Sequence, residues 1–174
     1  MNSRQTDTMA GIITHMNRLS VIGTDITEVS TTVQKTDNRS TGGLFEQELS
    51  HILADNGFWV HVMQQNKSGQ PADIIAVKER FHTLIDCKVC DQGFFSFDRI
   101  EENQKYAMKR FFSRAGELCY FALKLPDDSI RMVSLSLIEI LQSRSRKRIS
   151  AEDMGTDTWL LEDWMKSKGI EEIK

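Results

Sequence analysis

Three charged side chains in the middle of this sequence have the types and spacing that a metal-assisted hydrolytic site would need. Asp73 opens an apolar run, Asp73-Ile-Ile-Ala-Val-Lys78, and Asp86 and Lys88 stand two apart in a second run, Leu84-Ile-Asp-Cys-Lys-Val89. Side chains alternate along a strand with period two, so Asp86 and Lys88 face one side of a sheet and Cys87 the other. A carboxylate and an ammonium set between Ile85 and Val89 are costly to desolvate without partners. The economical partner for Asp73 and Asp86 is a hard divalent cation. Mg2+ prefers oxygen ligands and often takes one or two carboxylates, with water and phosphate completing its octahedron; Mn2+ could substitute. A lysine beside such an ion can hold or polarise an attacking water, or offset charge building on a phosphate. The competing reading is an ordinary solvated strip in which Asp86 and Lys88 pair with strand neighbours.

Further candidates flank this core. Phe45, Leu49, Ile52 and Leu53 form one helical stripe, and both Glu46 and Glu48 lie at its margins. Either acid could reach inward over a sheet edge, and helix geometry alone does not choose between them. Gln104 falls in register with Ile100, Ala107, Met108 and Phe111 on an apolar helix face, where an amide needs a partner. It is either a satisfied core glutamine or a side chain that reaches the site to bind water, phosphate or Lys88. Arg144, Arg146, Lys147 and Arg148 put four cations in five residues, a plausible phosphate contact or a solvated surface run. Cys87 and Cys90 form a CxxC, but without a second such pair or histidines at ligand spacing a zinc site is disfavoured.

The elements that must position these residues can be read from periodicity and turn signals. A helix is expected from Leu44 to Asn56, with Gly42-Gly43 marking the entry to the compact domain and Gly57 as its left-handed C-cap. Strands follow at Phe58–Met63, Asp73–Lys78 and His82–Cys90, the last two joined as a hairpin near Glu79-Arg80, with residues 66–71 as a loop. Asp98 with Glu101 reads as a capping box opening the next helix, which Gly116 ends. A strand from Leu118 to Leu125, a short one from Ile130 to Val133 and a short helix from Leu135 to Leu141 complete the order. Helix, three strands, helix, strand describes an α/β domain whose central sheet is flanked by helices.

Composition narrows the class. The 174 residues are 40% hydrophobic and 27% charged, the balance of a soluble globular domain. Apolar runs stop far short of the roughly 20 residues that span a bilayer, so no membrane role is expected. The N-terminal residues lack the apolar core of a secretory signal, which points to the cytoplasm, and three cysteines suit a reducing compartment. The net charge of −3 conceals a nearly balanced middle, because residues 150–174 carry seven acids against three bases. Residues 1–41 form a polar arm, partly helical or disordered, with an apolar series from Ile12 to Val33; residues 42–174 form the domain proper.

Pro71-Ala-Asp73 followed by Asp86-Cys-Lys88 resembles the signature of the PD-(D/E)XK nucleases. The stretch Gly43-Leu-Phe-Glu46 to Leu49, Leu53, Gly57-Phe58, a Ser-Gly loop, Ala72-Asp73-Ile-Ile-Ala-Val77 and Leu84-Ile-Asp86-Cys-Lys88 is similar to the Hjc-type Holliday junction resolvases of archaea. From Asp86 to about Trp164 the chain looks more like the RecU resolvases, through Phe95-Ser-Phe97, Glu102-Asn-Gln104, Cys119-Tyr-Phe-Ala-Leu123 and Ser145-Arg-Lys-Arg-Ile-Ser150. The acid of the Xaa-Lys pair is Asp86 where glutamate is commoner. The resemblance implies a restriction-endonuclease-like αβββαβ core with a mixed central sheet. It selects Glu46, eleven residues before the Gly-Phe pair, over Glu48. It further implies Mg2+ bound by Asp73, Asp86 and the Cys87 carbonyl with Glu46 as a further ligand, and Lys88 and Gln104 beside them. Lys67, Ser68, Arg99 and the 144–148 cluster become candidate DNA contacts. The implied protein is a homodimeric endonuclease cutting branched DNA in recombination and repair. Alternatives are a phage or mobile-element nuclease acting on flaps, forks or duplex, and a non-catalytic DNA-binding module of the same fold.

Overall fold

A computed structural model of the chain describes residues 38–64 and 69–168. The expected arm up to residue 37, Lys67 and Ser68, and residues 169–174 of the acidic tail lie outside the described residues.

Helix α1 (Asn38–Asp55) begins well before the expected Leu44, so Gly42 and Gly43 lie inside it. Each glycine costs a helix interior about 1 kcal/mol relative to alanine. Burial of Phe45, Leu49 and Leu53 against the sheet offsets that cost, so packing overrides local propensity here. Gly57, at φ 82°, turns the chain into β1 (Trp59–Val62). β2 (Ile74–Lys78) and β3 (Phe81–Val89) form the expected hairpin, Lys78 opposite Phe81 across Glu79 and Arg80, with Glu79 in the left-handed region at φ 54°.

β4 (Phe94–Ser96) and a single 3-10 turn (Phe97–Arg99) lead into α2 (Glu102–Ala115). The capping box here is Glu101 with Gln104, where the sequence suggested Asp98 with Glu101. The 3-10 turn takes up Asp98, so the helix opens three residues later. β5 (Tyr120–Lys124) then lies parallel to β3, pairing Asp86 with Phe121 and Lys88 with Leu123. β6 (Ile130–Ser134), α3 (Leu135–Ser143), β7 (Arg148–Ser150), α4 (Ala151–Asp157), β8 (Trp159–Leu160) and α5 (Leu161–Ser167) follow.

The central sheet runs β1-β2-β3-β5-β6-β8, with β3 and β5 its parallel neighbours, and β4 pairs with β7 in a separate ribbon. This is the mixed α/β sheet expected. Leu84, Phe121, Leu123 and Val133 pack on one face with Met108 of α2 and Ile138 of α3. Ile74, Ile85, Tyr120 and Met132 pack on the other with α1 and α5. No helix among the described residues is long and apolar enough to cross a membrane.

Trp164 of α5 is the largest fully buried side chain, stacked on Phe58 at 5.7 Å and edge-on to Tyr120 at 5.3 Å. Trp164→Ala is expected to lower stability by about 3–5 kcal/mol in urea unfolding. A loss under about 1 kcal/mol would mean that α5 does not seal this face.

Candidate active site

The backbone of Asp73 is stitched from both sides, accepting from Met63 N–H at 2.7 Å and donating to the Ile85 carbonyl at 3.1 Å. That fixes the residue at the mouth of the hairpin, one position ahead of β2. Its carboxylate then turns onto β3: Oδ2 accepts from the Cys87 backbone N–H and Oδ1 from Gln70 Nε2, both at 2.6 Å. Asp73 is thus held beside the strand that carries Asp86 and Lys88.

Those two project from β3 on the face of Leu84, while Cys87 packs with the cluster on the α1 face. Asp86 is completely buried, and Lys88 Nζ lies 2.7 Å from its Oδ2. This is a close ion pair, and Asp86 Oδ1 has no partner among the described residues. Burial, with the Asp73 charge second, pushes the Asp86 carboxyl up to about 7, against the pull of Lys88. The same desolvation, then Asp73, pushes Glu46 of α1 up to about 6, again with Lys88 opposing. Glu46 therefore lies within the electrostatic reach of Asp73 and Lys88. Glu48 is engaged elsewhere, accepting from Lys124 Nζ at 2.6 Å.

Gln104 both caps and reaches. Its Oε1 accepts from the Glu101 N–H at 3.3 Å, closing the first turn of α2, and from Lys88 Nζ at 3.4 Å. One glutamine thereby ties the ammonium to a helix end.

A divalent cation fits what these residues leave open. Among the described residues the buried side-chain oxygens without a donor are Asp86 Oδ1 and Gln70 Oε1, beside an Asp86 Oδ2 that meets the Lys88 ammonium. Buried acceptors without donors are costly, and a cation or its bound waters would satisfy them. Among the described residues no three His, Cys, Asp or Glu side chains form a ready-made metal cage. Mg2+ does not require one, since one or two carboxylates with several retained waters is its usual protein environment. The three cysteines are free thiols, with Cys87 and Cys90 in opposite core clusters.

An open cleft of about 500 Å3 adjoins Lys88, bounded by Gly42 of α1, the β3–β4 turn and Arg99. Arg99 donates to the Val89 carbonyl at 2.9 Å and lies over the Phe95 ring. The ribbon brings the basic cluster to the same side, because Arg148 pairs with Ser96, which also lines the cleft. Arg144, Arg146, Lys147 and Arg148 are all exposed. Two already have partners: Arg146 pairs with Asp153 at 2.6 Å, and Arg148 covers the Phe94 ring at 4.8 Å.

A family model described as "Archaeal holliday junction resolvase (hjc)" matches residues 37–168. The chain belongs to the archaeal Holliday junction resolvase family. The Hjc match starts one residue before α1 and ends with the turn after α5, so it takes in all the described elements, including those that resemble RecU. Among solved structures the fold is similar to that of Hjc from Archaeoglobus fulgidus, a Holliday junction resolvase from an archaeal hyperthermophile. The TM-score is 0.56 at 19% identity, covering 72% of this chain and 98% of that one. No curated protein matches the chain.

At this candidate site the structure adds one residue that the sequence did not single out. Gln70 is buried and donates to Asp73, whereas its position among the loop residues 66–71 suggested only a solvated turn. Nothing in the order Gly69-Gln70-Pro71 marks it, because its burial comes from tertiary packing.

Proposed function

We propose that the chain is a Mg2+-dependent, structure-selective DNA endonuclease that resolves Holliday junctions in recombination and repair. One observation carries this reading beyond family membership: Asp73, Asp86 and Lys88 lie together at a buried spot where Asp86 Oδ1 lacks a donor. Asp73, Asp86 and the Cys87 carbonyl would hold the ion, with Glu46 joining directly or through water. When bound, it supplies positive charge for the scissile phosphate and the departing oxygen. Lys88, fixed between Asp86 and Gln104, orients the attacking water in line with the phosphorus–oxygen bond that breaks. The ion pair with buried Asp86 holds Lys88 in place. The reaction is hydrolysis of a phosphodiester.

The cleft beside Lys88 would receive the cleaved strand, with Arg99 and the exposed cations of the 144–148 cluster along the backbone, and Lys67 and Ser68 as further contacts. Phosphate contacts of this kind position a duplex without reading its sequence, which suits recognition by branch shape. Two symmetric cuts across a four-way junction call for two sites related by a two-fold axis, hence a homodimer. A reducing, cytoplasmic setting suits the three free thiols.

A mobile four-way junction, a flap, a linear duplex and a single strand, tested side by side, separate the readings. Paired symmetric cuts in the junction are expected with Mg2+ or Mn2+ and none with EDTA. Equal cutting of all four substrates would remove the resolvase assignment and leave a general nuclease. No cutting with either metal would leave a DNA-binding module.

A further inference from the structure

We propose that Gln70 is a positioning residue of the metal site: its amide nitrogen orients the Asp73 carboxylate, and its amide oxygen accepts a hydrogen bond from water bound to the divalent ion. This rests on the metal site proposed above and adds a residue outside the set of acids and lysine. An ionised carboxylate only accepts hydrogen bonds, so the NH2 end of the amide must be the end that faces Asp73 Oδ1 at 2.6 Å. The other end, Oε1, is thereby turned away from Asp73. It is buried and has no hydrogen-bond partner among the described residues. Hydrated Mg2+ presents waters whose hydrogens point outward as donors, the complement of such an oxygen.

The backbone around Gln70 is fixed independently of any ion. Asn103 of α2 donates through Nδ2 to the Gln70 carbonyl at 3.3 Å. Gly69 has φ 76°, which favours glycine, and a Cβ there would stand 2.5 Å from Asn103 Nδ2 and push that amide from its place. Pro71 restrains the backbone of the residue before it, Gln70 itself. The amide is therefore held on a tethered backbone between the helix that carries Gln104 and the aspartate that opens β2. A surface side chain that had merely folded inward would have no such tether.

Residues that orient metal ligands or bound water typically alter affinity about 10- to 100-fold when lost. The test uses Mn2+ alone as probe, titrated into the full-length protein without DNA by calorimetry and by its EPR signal. Gln70→Leu, similar in volume with neither donor nor acceptor, is expected to weaken Mn2+ binding by about that factor. Gln70→Met, unbranched and closer in shape, gives the same readout where leucine disturbs folding. A merely structural glutamine would lower the melting temperature of the metal-free protein and leave Mn2+ affinity unchanged, and that result overturns the proposal. Asp73→Asn is the control: its failure to weaken Mn2+ binding would overturn the site itself. Loss with Asp73→Asn but wild-type affinity in both Gln70 variants would remove Gln70 alone.

Discussion

Asp86→Asn is expected to make the metal-free protein more stable at pH 8 while removing Mg2+-dependent cleavage of a four-way junction. Asp86 is fully buried, and burial together with Asp73 and, more weakly, Glu101 pushes its carboxyl up to about 7, with Lys88 the opposing charge. In the unfolded chain the same group titrates near 3.8. Between those values the native state holds a proton that the unfolded state has released, so the stability of the metal-free protein falls as pH rises from about 4 to 7 and is flat above. The carboxylate withholds at most about 4 kcal/mol at pH 8 by that reckoning. Asparagine keeps the shape, offers Lys88 a carbonyl and carries no charge. We expect a gain of about 1–2 kcal/mol, or roughly 3–6 °C in melting temperature for a chain of this size. The pH slope should shrink to what Glu46 contributes, which has the same sign because its carboxyl is also raised, to about 6. Cleavage should drop by about 10^3-fold or more, since an ion that loses a charged ligand is no longer placed to offset charge at phosphorus. Thermal melts in EDTA across pH 4–9 and single-turnover cleavage measure both effects. A melting temperature at pH 8 that falls, with the wild-type slope retained, would show that Asp86 is not held at an energetic cost.

Some parts of the molecule are legible in sequence and others are not. The shared face of Asp86 and Lys88, and the opposite face of Cys87, follow from the period of a strand, and no tertiary information is needed to see them. Glu46 and Glu48 flank the same apolar stripe, and what separates them in space is Lys124 on β5, which engages Glu48 from far along the chain. The capping box was misplaced by three residues because Asp98-Glu101 and Glu101-Gln104 have identical spacing; only the 3-10 turn at Phe97–Arg99 decides. β4 and β7 are three residues each, too short for alternation to register, and they exist because they pair with one another across a long separation. α5 was hidden in an acidic tail, although Leu161, Trp164 and Met165 have helical spacing and Glu162 and Asp163 suit a first turn. Gln70 was illegible for a different reason. An orphaned oxygen is a property of burial, which no local pattern encodes.

Lys88→Gln should change the metal-free protein in the opposite direction from Asp86→Asn while also impairing cleavage, and the contrast separates the roles of the two residues. Lys88 Nζ is the only cation within ion-pair distance of Asp86 among the described residues, and its side chain is just 13% exposed. Removing the ammonium leaves a buried carboxylate with no countercharge, a change that typically costs about 3–5 kcal/mol when pairs are fully buried and somewhat less here. Asp86 would then titrate higher still, since Lys88 is what lowers it, and the loss of stability with rising pH would extend to higher pH. Lys88 is not among the proposed metal ligands, so Mn2+ binding should persist or tighten as a competing positive charge departs. Cleavage should nevertheless fall by about 10^2- to 10^4-fold, the range for losing a group that positions or activates the nucleophile. In EDTA at pH 8 the expected order of melting temperatures is Asp86→Asn, wild type, Lys88→Gln, with the double variant near Asp86→Asn because no buried carboxylate then remains to be left unpaired. Calorimetry with Mn2+ and cleavage kinetics on the same preparations complete the set. If Lys88→Gln abolishes Mn2+ binding, the lysine is part of what shapes the ion's pocket, and the division between two carboxylates that hold the ion and an ammonium that directs water is wrong.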